Sequence, residues 1–462
     1  MTVLLIAPAS GHWRHVGRPG LFNGRTFRFS LLSLLSVAAE TPDGVDVEIV
    51  DEQVDEIRWD RCYDLVGITC MTAAAPRAYE ISRAFRQRGV PVVLGGMHPT
   101  FLSGEALRHA DAVCVGEAEG VWPRILADAR AGRLGGIYGA ERPNDLRGLR
   151  LPPRQLLQRS RYGTVQAVQA TRGCPHGCSF CSVTAFHKGL FRARPVEEVA
   201  AEVAGLPERF FLFVDDNLTA DRDYAMELFR ALRPLGKLWV SQSTLRMTDD
   251  AAVVSAAAAA GCIGLFVGLE TFSAANLEAA NKGFHKVEQY RDRIRFLHSH
   301  GIGVQAGIVF GFDHDGPDVF ARTLRLLDEV EVDTIQVSIL TPLPGTAWFD
   351  SMRPRIFDRD WAHYDYHHAV FEPARMAAAD LRAGHDWVTR EFYRPWRIAR
   401  RLVRMAATPG CMRALPWAAA INGAYYGRVR RWGIKGWDPA REVLPAGLAA
   451  PLPPLARLGS HP

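Results

Sequence analysis

The sequence predicts an α/β protein: an N-terminal doubly wound, Rossmann-like sheet domain, then a partial (β/α)6 barrel, then a mainly helical C-terminal region. Three observations predict it. Apolar strand-like runs alternate with amphipathic helical runs in two separate regions, the pattern of parallel sheets covered on both faces. A stretch rich in Gly, Pro and Arg divides the two regions. Beyond residue 350 the strand signals give out and basic helical signals replace them. The 462 residues have room for two to four domains at roughly 100–200 residues each. Hydrophobic residues make up 48% and charged residues 23%, which excludes a disordered chain and a collagen-like repeat. The net charge of +5 is too mild for this length to call for nucleic acid as a partner.

The first unit spans residues 1–130. VLLIAP (3–8), VDVEIVD (45–51), LVGITC (65–70), PVVLGG (91–96) and DAVCVGE (111–117) read as strands, with helices at 30–40 and 75–89 among them. Five strands in so short a span suit a doubly wound fold. No G-x-G-x-x-G follows the first strand, so a dinucleotide is not expected. MTVLLIAP has no basic flank and no cleavage site, so it reads as a strand and not as a secretory signal. The expected compartment is therefore cytoplasmic, where thiols stay reduced.

Residues 131–163 lack periodicity and read as a linker. From 164 to 350 the alternation resumes, with strands expected at 164–171, 209–216, 237–245, 264–270, 303–312 and 333–340. Pro195 opens a helix whose Val196, Val199, Ala200 and Val203 share a face, and Gly205 closes it. Residues 251–269 are uncharged and approach spanning length. Seven of these nineteen residues are alanine and Gly261 interrupts them, so they read as a helix followed by a buried strand. In such barrels functional residues sit at the C-terminal ends of the strands. Residues 351–462 form the helical region and its Pro-rich tail.

Eight cysteines are present, and three of them, Cys174, Cys178 and Cys181, form C-x3-C-x2-C directly after the first barrel strand. Three thiolates at this spacing can hold three corners of a [4Fe–4S] cluster and leave one iron open to another ligand. A structural zinc with His176 or His187 as fourth ligand is the alternative. Zinc sites usually pair C-x2-C with a second pair further on, which this chain lacks.

With Phe180 before the last cysteine, this motif resembles that of the radical S-adenosylmethionine (SAM) superfamily. LFVDDN (212–217), WVSQSTLR (239–246), VGLE (267–270), GIVFGF (307–312) and LTPLPGT (340–346) resemble the family's later strand ends. The resemblance implies SAM as co-substrate, with Phe180, Asp215, Asp216, Gln242, Glu270 and Val309 as its contacts. Acids at strand ends also serve as helix N-caps, and a polar strand end or a solvated face accounts equally for Gln242.

GG-x-HPT (95–100), VGEAEG (115–120) and LPPR (151–154) extend the resemblance to the cobalamin-binding subset of that superfamily. It implies cobalamin at the carboxyl ends of the first sheet, against Thr69, Thr72, Gly95, Gly96, His98, Thr100, Gly116 and Glu117. Gly95 and Gly96 remove side chains where a large planar ligand approaches. D-x-H-x-x-G, the motif of histidine-ligated cobalt, is absent. His98 is the residue nominated as lower axial ligand, with a loop hydrogen-bonding role as its alternative. The rival family is the methylthiotransferases, for which Cys62, Cys70 and Cys114 would have to carry a second cluster; Cys70 and Cys114 fall in or beside apolar strand runs, where buried cysteine is common.

In the C-terminal region, His363 and His367 stand four apart among aromatics, without an acid or cysteine seen to complete a metal site. Residues 393–435 interleave arginines with Trp396, Trp417 and Trp432, which reads as a solvated basic face, a peripheral membrane segment or a nucleic-acid patch, with the solvated face leading. The function implied is a cobalamin-dependent radical SAM methyltransferase acting on an unactivated carbon. A radical cyclase or ring-rearrangement enzyme is the alternative within enzymes, and a cobalamin-responsive binding module with a relic cluster is the alternative of another class. The implied partners are an electron donor such as flavodoxin or ferredoxin and a small-molecule substrate. Lipid, tetrapyrrole and natural-product substrates all stay open at this level.

Overall fold

The computed structural model describes residues 1–9, 26–29, 31–140 and 143–432. Its first sheet has six parallel strands: β1 (Thr2–Ala7), β2 (Asp46–Asp51), β3 (Leu65–Thr69), β4 (Val92–Gly95), β5 (Ala112–Val115) and β6 (Gly136–Gly139). Their order is β2-β1-β3-β4-β5-β6. The chain leaves β1 to one side and returns to the other, so the switch point lies between β1 and β3. Side chains alternate across the strands. Val3 and Leu5 pack with Leu34, Leu35 and Trp122 on one face, and Leu4 and Ile6 with Ala78, Ile81 and Phe85 on the other.

The second sheet is a partial barrel of six parallel strands in sequence order. They are β7 (Ala167–Val168), β8 (Phe210–Phe213), β9 (Leu238–Ser243), β10 (Cys262–Glu270), β11 (Gly303–Phe310) and β12 (Thr334–Ile339). Leu265, Val267, Val304, Ala306 and Ile308 turn outward into the largest core cluster, under the surrounding helices. The alternate residues Phe266, Gln305 and Val309 face the barrel interior. The uncharged stretch resolves into the helix Ala251–Ala259 and β10, as the glycine predicts. Among the described residues no helix is long and apolar enough to cross a membrane.

The helix Leu415–Trp432 closes the barrel from the N-terminal ends of its strands. Trp417 lies on Gly264 and Gly303, where a Cβ would sit 2.8 and 2.7 Å from its indole. Further along the helix, the Tyr425 hydroxyl is 3.4 Å from Gln305 Nε2. The first domain caps the opposite end.

Two expectations are corrected here. The segment read as a linker contains β6, an edge strand with only Tyr138 buried, which is why no period marked it. Tyr162–Thr164 also pairs, with Thr26–Phe29, in a small separate sheet. Pro195 is the N-cap, one residue before the first helical position.

Candidate active site

Several of the candidate groups meet where the two sheets' C-terminal ends face each other. Between them is a cavity of about 480 Å3. Leu5, Gly67, Ile68 and Thr69 of β1 and β3 form its base at the switch point, together with Leu34 and Trp122. Gly95, Gly96, Gly116 and Glu117 line its rim, and Gln169, Arg172, His187, Val214 and Asp216 of the barrel form the opposite wall. The lower part is apolar and the upper part charged, so the cavity suits a ligand with a greasy end and a polar one.

The loop geometry of the first domain explains its glycines. Gly96 has φ +97°, and a Cβ there would meet Thr69 Oγ1 at 2.8 Å and the Cys70 carbonyl at 2.9 Å. The Thr100 hydroxyl donates to the Gly96 carbonyl at 2.7 Å and accepts from Gly116 N at 2.9 Å, tying two rim loops together. Thr100 therefore shapes the rim and does not line the cavity. Thr72 is buried beneath its turn and does not line it either.

His98 is corrected more sharply. It is fully buried, 3.0 Å from the Tyr79 hydroxyl through Nε2, with its ring edge-on to Trp361. Burial lowers its pKa, and the nearby Glu105 only partly offsets that. The ring belongs to the packing between the first domain and the C-terminal region, and it does not reach the cavity.

Glu117 fastens the two domains. Its carboxylate accepts from Arg192 at 2.7 and 2.8 Å and from Arg172 at 3.1 Å, and Arg172 reaches on to Glu119 at 2.5 Å. Burial pushes the Glu117 carboxyl up, but the two guanidinium groups outweigh it and hold it down at about 2. His187 accepts from Arg192 at 3.1 Å. Burial pushes its pKa down to about 4. Sequence reasoning named Glu117 for a ligand and missed both arginines, although Arg172 stands two residues before Cys174.

The cysteine loop leaves β7 and is braced by the end of β8. Gly173 N donates to Asp216 Oδ2 at 2.9 Å, and Asn217 Nδ2 lies 3.7 Å from Cys174 Sγ. All three thiols are half-buried. Burial pushes the Cys178 thiol up to about 11, and charge on Cys174 and Cys181 adds to this while Lys282 opposes it. Among the described residues no three His, Cys, Asp or Glu side chains converge closely enough for a single metal ion. Neither histidine completes a zinc site with them: His176 stacks on Phe284 at 4.3 Å, and His187 is bonded to Arg192. A [4Fe–4S] cluster asks for no histidine beside the three thiols, all of which are free and half-buried. Phe180 packs edge-on to Phe312 at 6.0 Å, anchoring the loop to the end of β11.

Asp215 does not face a ligand. It is fully buried, and it accepts from Ala170 N at 3.1 Å, from Thr171 Oγ1 at 2.7 Å and from Thr171 N. Burial pushes its carboxyl up to about 7, against those donors. Its neighbour Asp216 is the one that lines the cavity.

Glu270, at the end of β10, sits at φ +63° where the β10–β11 register shifts. It accepts from Lys282 Nζ at 2.6 Å, and both side chains are nearly buried. Burial works to lower the Lys282 pKa, while the charges of Glu270 and Cys178 outweigh it and raise it. Lys282, in a loop with no periodic pattern, carried no sequence signal. Gln242 is exposed toward the barrel interior, and Val309 lies half-buried on the same side.

The remaining cysteines do not gather. Cys62 is exposed, while Cys70 and Cys114 are buried in separate places, and burial pushes the Cys114 thiol up to about 12. No second cluster fits them. The histidine pair of the C-terminal region is also otherwise engaged: His363 Nδ1 is 2.6 Å from Asp358, and the His367 ring stands edge-on to His385 at 5.3 Å. Asp358 stands beside His363, and among the described residues no metal site forms.

Comparison with known proteins gives two family matches, the radical SAM superfamily over residues 168–327 and the B12 binding domain over residues 29–126. The chain is 32% identical to bacteriochlorophyllide d C-12(1)-methyltransferase of Chlorobaculum tepidum, over 80% of this chain and 84% of that one. It is 30% identical to bacteriochlorophyllide d C-8(2)-methyltransferase of the same organism, over 72% and 79%. Among solved structures it resembles TsrM of Kitasatospora setae, a radical SAM methyltransferase with cobalamin and a [4Fe–4S] cluster bound. The TM-score is 0.61 and the identity 17%, over 82% of this chain and 84% of that one, a likeness of fold.

Proposed function

The chain belongs to the B12-binding radical SAM enzymes, and we propose that it methylates a carbon of a chlorophyll-type tetrapyrrole. Its cofactors are a [4Fe–4S] cluster, SAM and cobalamin. When bound, they supply a 5′-deoxyadenosyl radical that removes a hydrogen atom from substrate, and a methyl group for the carbon left behind. The observation that carries the reading is a cavity lined both by the switch point of the first sheet and by Arg172, His187 and Asp216, the residues that flank and brace the cysteine loop of the barrel. Two cofactors that must act on one carbon need such a common space.

In this reading Cys174, Cys178 and Cys181 hold the cluster. Asp216 and Asn217 fix the loop that carries them, through Gly173 and Cys174. Lys282 donates one bond to Glu270 and keeps further N–H donors for the carboxylate of SAM. Gly95, Gly96 and Gly116 let a corrin approach the backbone, and the apolar base around Leu34, Gly67 and Trp122 receives its tail. The Glu117–Arg172–Arg192 clasp holds the first domain over the barrel mouth and keeps water from it. Each turnover would need two electrons, one for cleaving SAM and one for restoring the methyl carrier, and a donor such as flavodoxin or ferredoxin would supply them. The tetrapyrrole assignment rests on the two relatives, which act on bacteriochlorophyllide d.

The test is anaerobic. The protein is reconstituted with iron, sulfide and cobalamin, then given SAM, reductant and a bacteriochlorophyllide. Deoxyadenosine and S-adenosylhomocysteine should appear together with a methylated pigment. Deoxyadenosine without S-adenosylhomocysteine would mean rearrangement, and both nucleosides with an unchanged pigment but a methylated lipid would move the substrate class.

A further inference from the structure

The helix Pro395–Ala407 buries two arginines beside Met405 and leaves an apolar stripe outside. A surface helix normally buries its apolar stripe and exposes its charges. Here Arg397 pairs with Asp328 inside the molecule. Arg401 is 2% exposed, lies 3.8 Å over the Phe392 ring, and donates to the Phe392 carbonyl and to Asn422. Arg404 turns back to the Glu331 carbonyl at 2.7 Å. The outward stripe is Trp396, Ala399, Val403 and Ala406, at helical spacing. Trp396 is 53% exposed and Val403 69%, and Met412 in the following turn is 59% exposed. The basic face expected from the sequence is thus partly an internal one, and Trp417 is packed on the barrel glycines.

Scattered exposed hydrophobics are ordinary, but three large ones on one helix and its next turn mark a contact surface. Its charge says with what. Residues 393–432 contain nine arginines and no aspartate or glutamate. Arg394, Arg400, Arg413 and Arg430 are exposed, Arg394 beside Glu391 at 2.8 Å and Arg400 beside Asp328 at 3.3 Å. A second copy of the chain would bring these like charges face to face, whereas a lipid surface carrying phosphates would not. The helix packs beside the segment entering β12, so this surface lies at the end of the barrel away from the cysteine loop and leaves the capped mouth free.

We propose that this face docks the protein on an anionic membrane surface, with Trp396, Val403 and Met412 at headgroup depth and the exposed arginines over the phosphates. The proposal is independent of the reaction, because its readout is binding.

The experiment is co-sedimentation of the full-length, cluster-loaded protein with phosphatidylcholine vesicles, with and without phosphatidylglycerol, at low and high salt. Binding should require phosphatidylglycerol and weaken with salt. Trp396→Glu with Val403→Glu should lower the partition coefficient at least about tenfold. Arg400→Gln with Arg413→Gln should lower it about tenfold on anionic vesicles only. Iron content and thermal midpoint serve as the fold check for both variants. The proposal is overturned by a protein that stays in the supernatant at low salt, or by variants that bind like the parent. It is also overturned by light scattering that shows a dimer which Trp396→Glu dissolves, since the face would then belong to a second copy.

Discussion

The two walls of the cavity are built from different materials. The sheet wall is mostly backbone and apolar surface: Gly95, Gly96, Gly116, Leu5, Gly67 and Trp122. The barrel wall and the strand ends behind it carry titratable groups with fixed partners: Arg172, Asp216, the three thiols, and the Glu270–Lys282 pair. The difference follows the ligands each side would take. A large, flat, mostly apolar cofactor is held by shape, and shape needs room more than charge. A cluster and a zwitterionic sulfonium are held by thiolates and opposite charges, which must be aimed. The barrel wall should therefore fail abruptly when one group is changed, and the sheet wall should fail by degrees.

The largest effect is expected at Cys178→Ala. Deoxyadenosine formation should fall to background and iron content should drop, with the fold intact by circular dichroism. Full deoxyadenosine yield from that variant would remove the thiol triplet from the chemistry.

Lys282→Met leaves Glu270 charged and nearly buried without its partner. The expected loss is about 3–5 kcal/mol in urea unfolding. The double variant Glu270→Gln with Lys282→Met should recover most of it, because no lone charge stays behind. A single variant costing less than about 1 kcal/mol would show that water reaches the pair.

On the sheet wall, Gly96→Ala forces a side chain into the left-handed region and against Thr69 and Cys70. The expected cost is about 2 kcal/mol, with less cobalamin retained per chain after gel filtration. Unchanged retention would mean that the rim loop can shift without disturbing the cavity.

The smallest effect belongs to the clasp. The Glu117 carboxyl titrates at about 2 in the folded protein against an ordinary 4.5. A depressed acid adds stability that is complete above its unfolded pKa, shrinks as pH falls below 4.5, and is gone below about 2. Glu117→Gln should cost about 1–2 kcal/mol at neutral pH, and the gap to the parent should close as the solution is acidified through that window. A gap that stays constant with pH would assign the loss to packing and not to charge.

Much of the fold was legible because it rests on local repetition. Val3 to Ile6 alternate between two buried faces, and each barrel strand repeats the same apolar signature. The edge strand Gly136–Gly139 was missed, since three of its four residues are exposed and leave no pattern. The cysteine triplet was legible because its members are close in sequence. Lys282 was not, because the loop holding it meets Glu270 only after β10 and its following helix have folded. Asp215 and Asp216 are adjacent in the chain and looked equivalent. Burial separates them: one is consumed by Ala170 and Thr171, and the other lines the cavity.

The sequence by itself determined two parallel α/β units, a thiol triplet at the first barrel strand and the family that these motifs mark. These are properties of spacing along the chain, which backbone periodicity and ligand geometry read directly. Only the tertiary structure decided which polar groups are spent on holding the protein together. Glu117 clasps two domains, His98 is sealed behind Trp361, and Arg401 is buried while Trp396 is exposed. Whether a charge faces water, a partner or a ligand depends on what other segments bring beside it, and residue type alone does not carry that information.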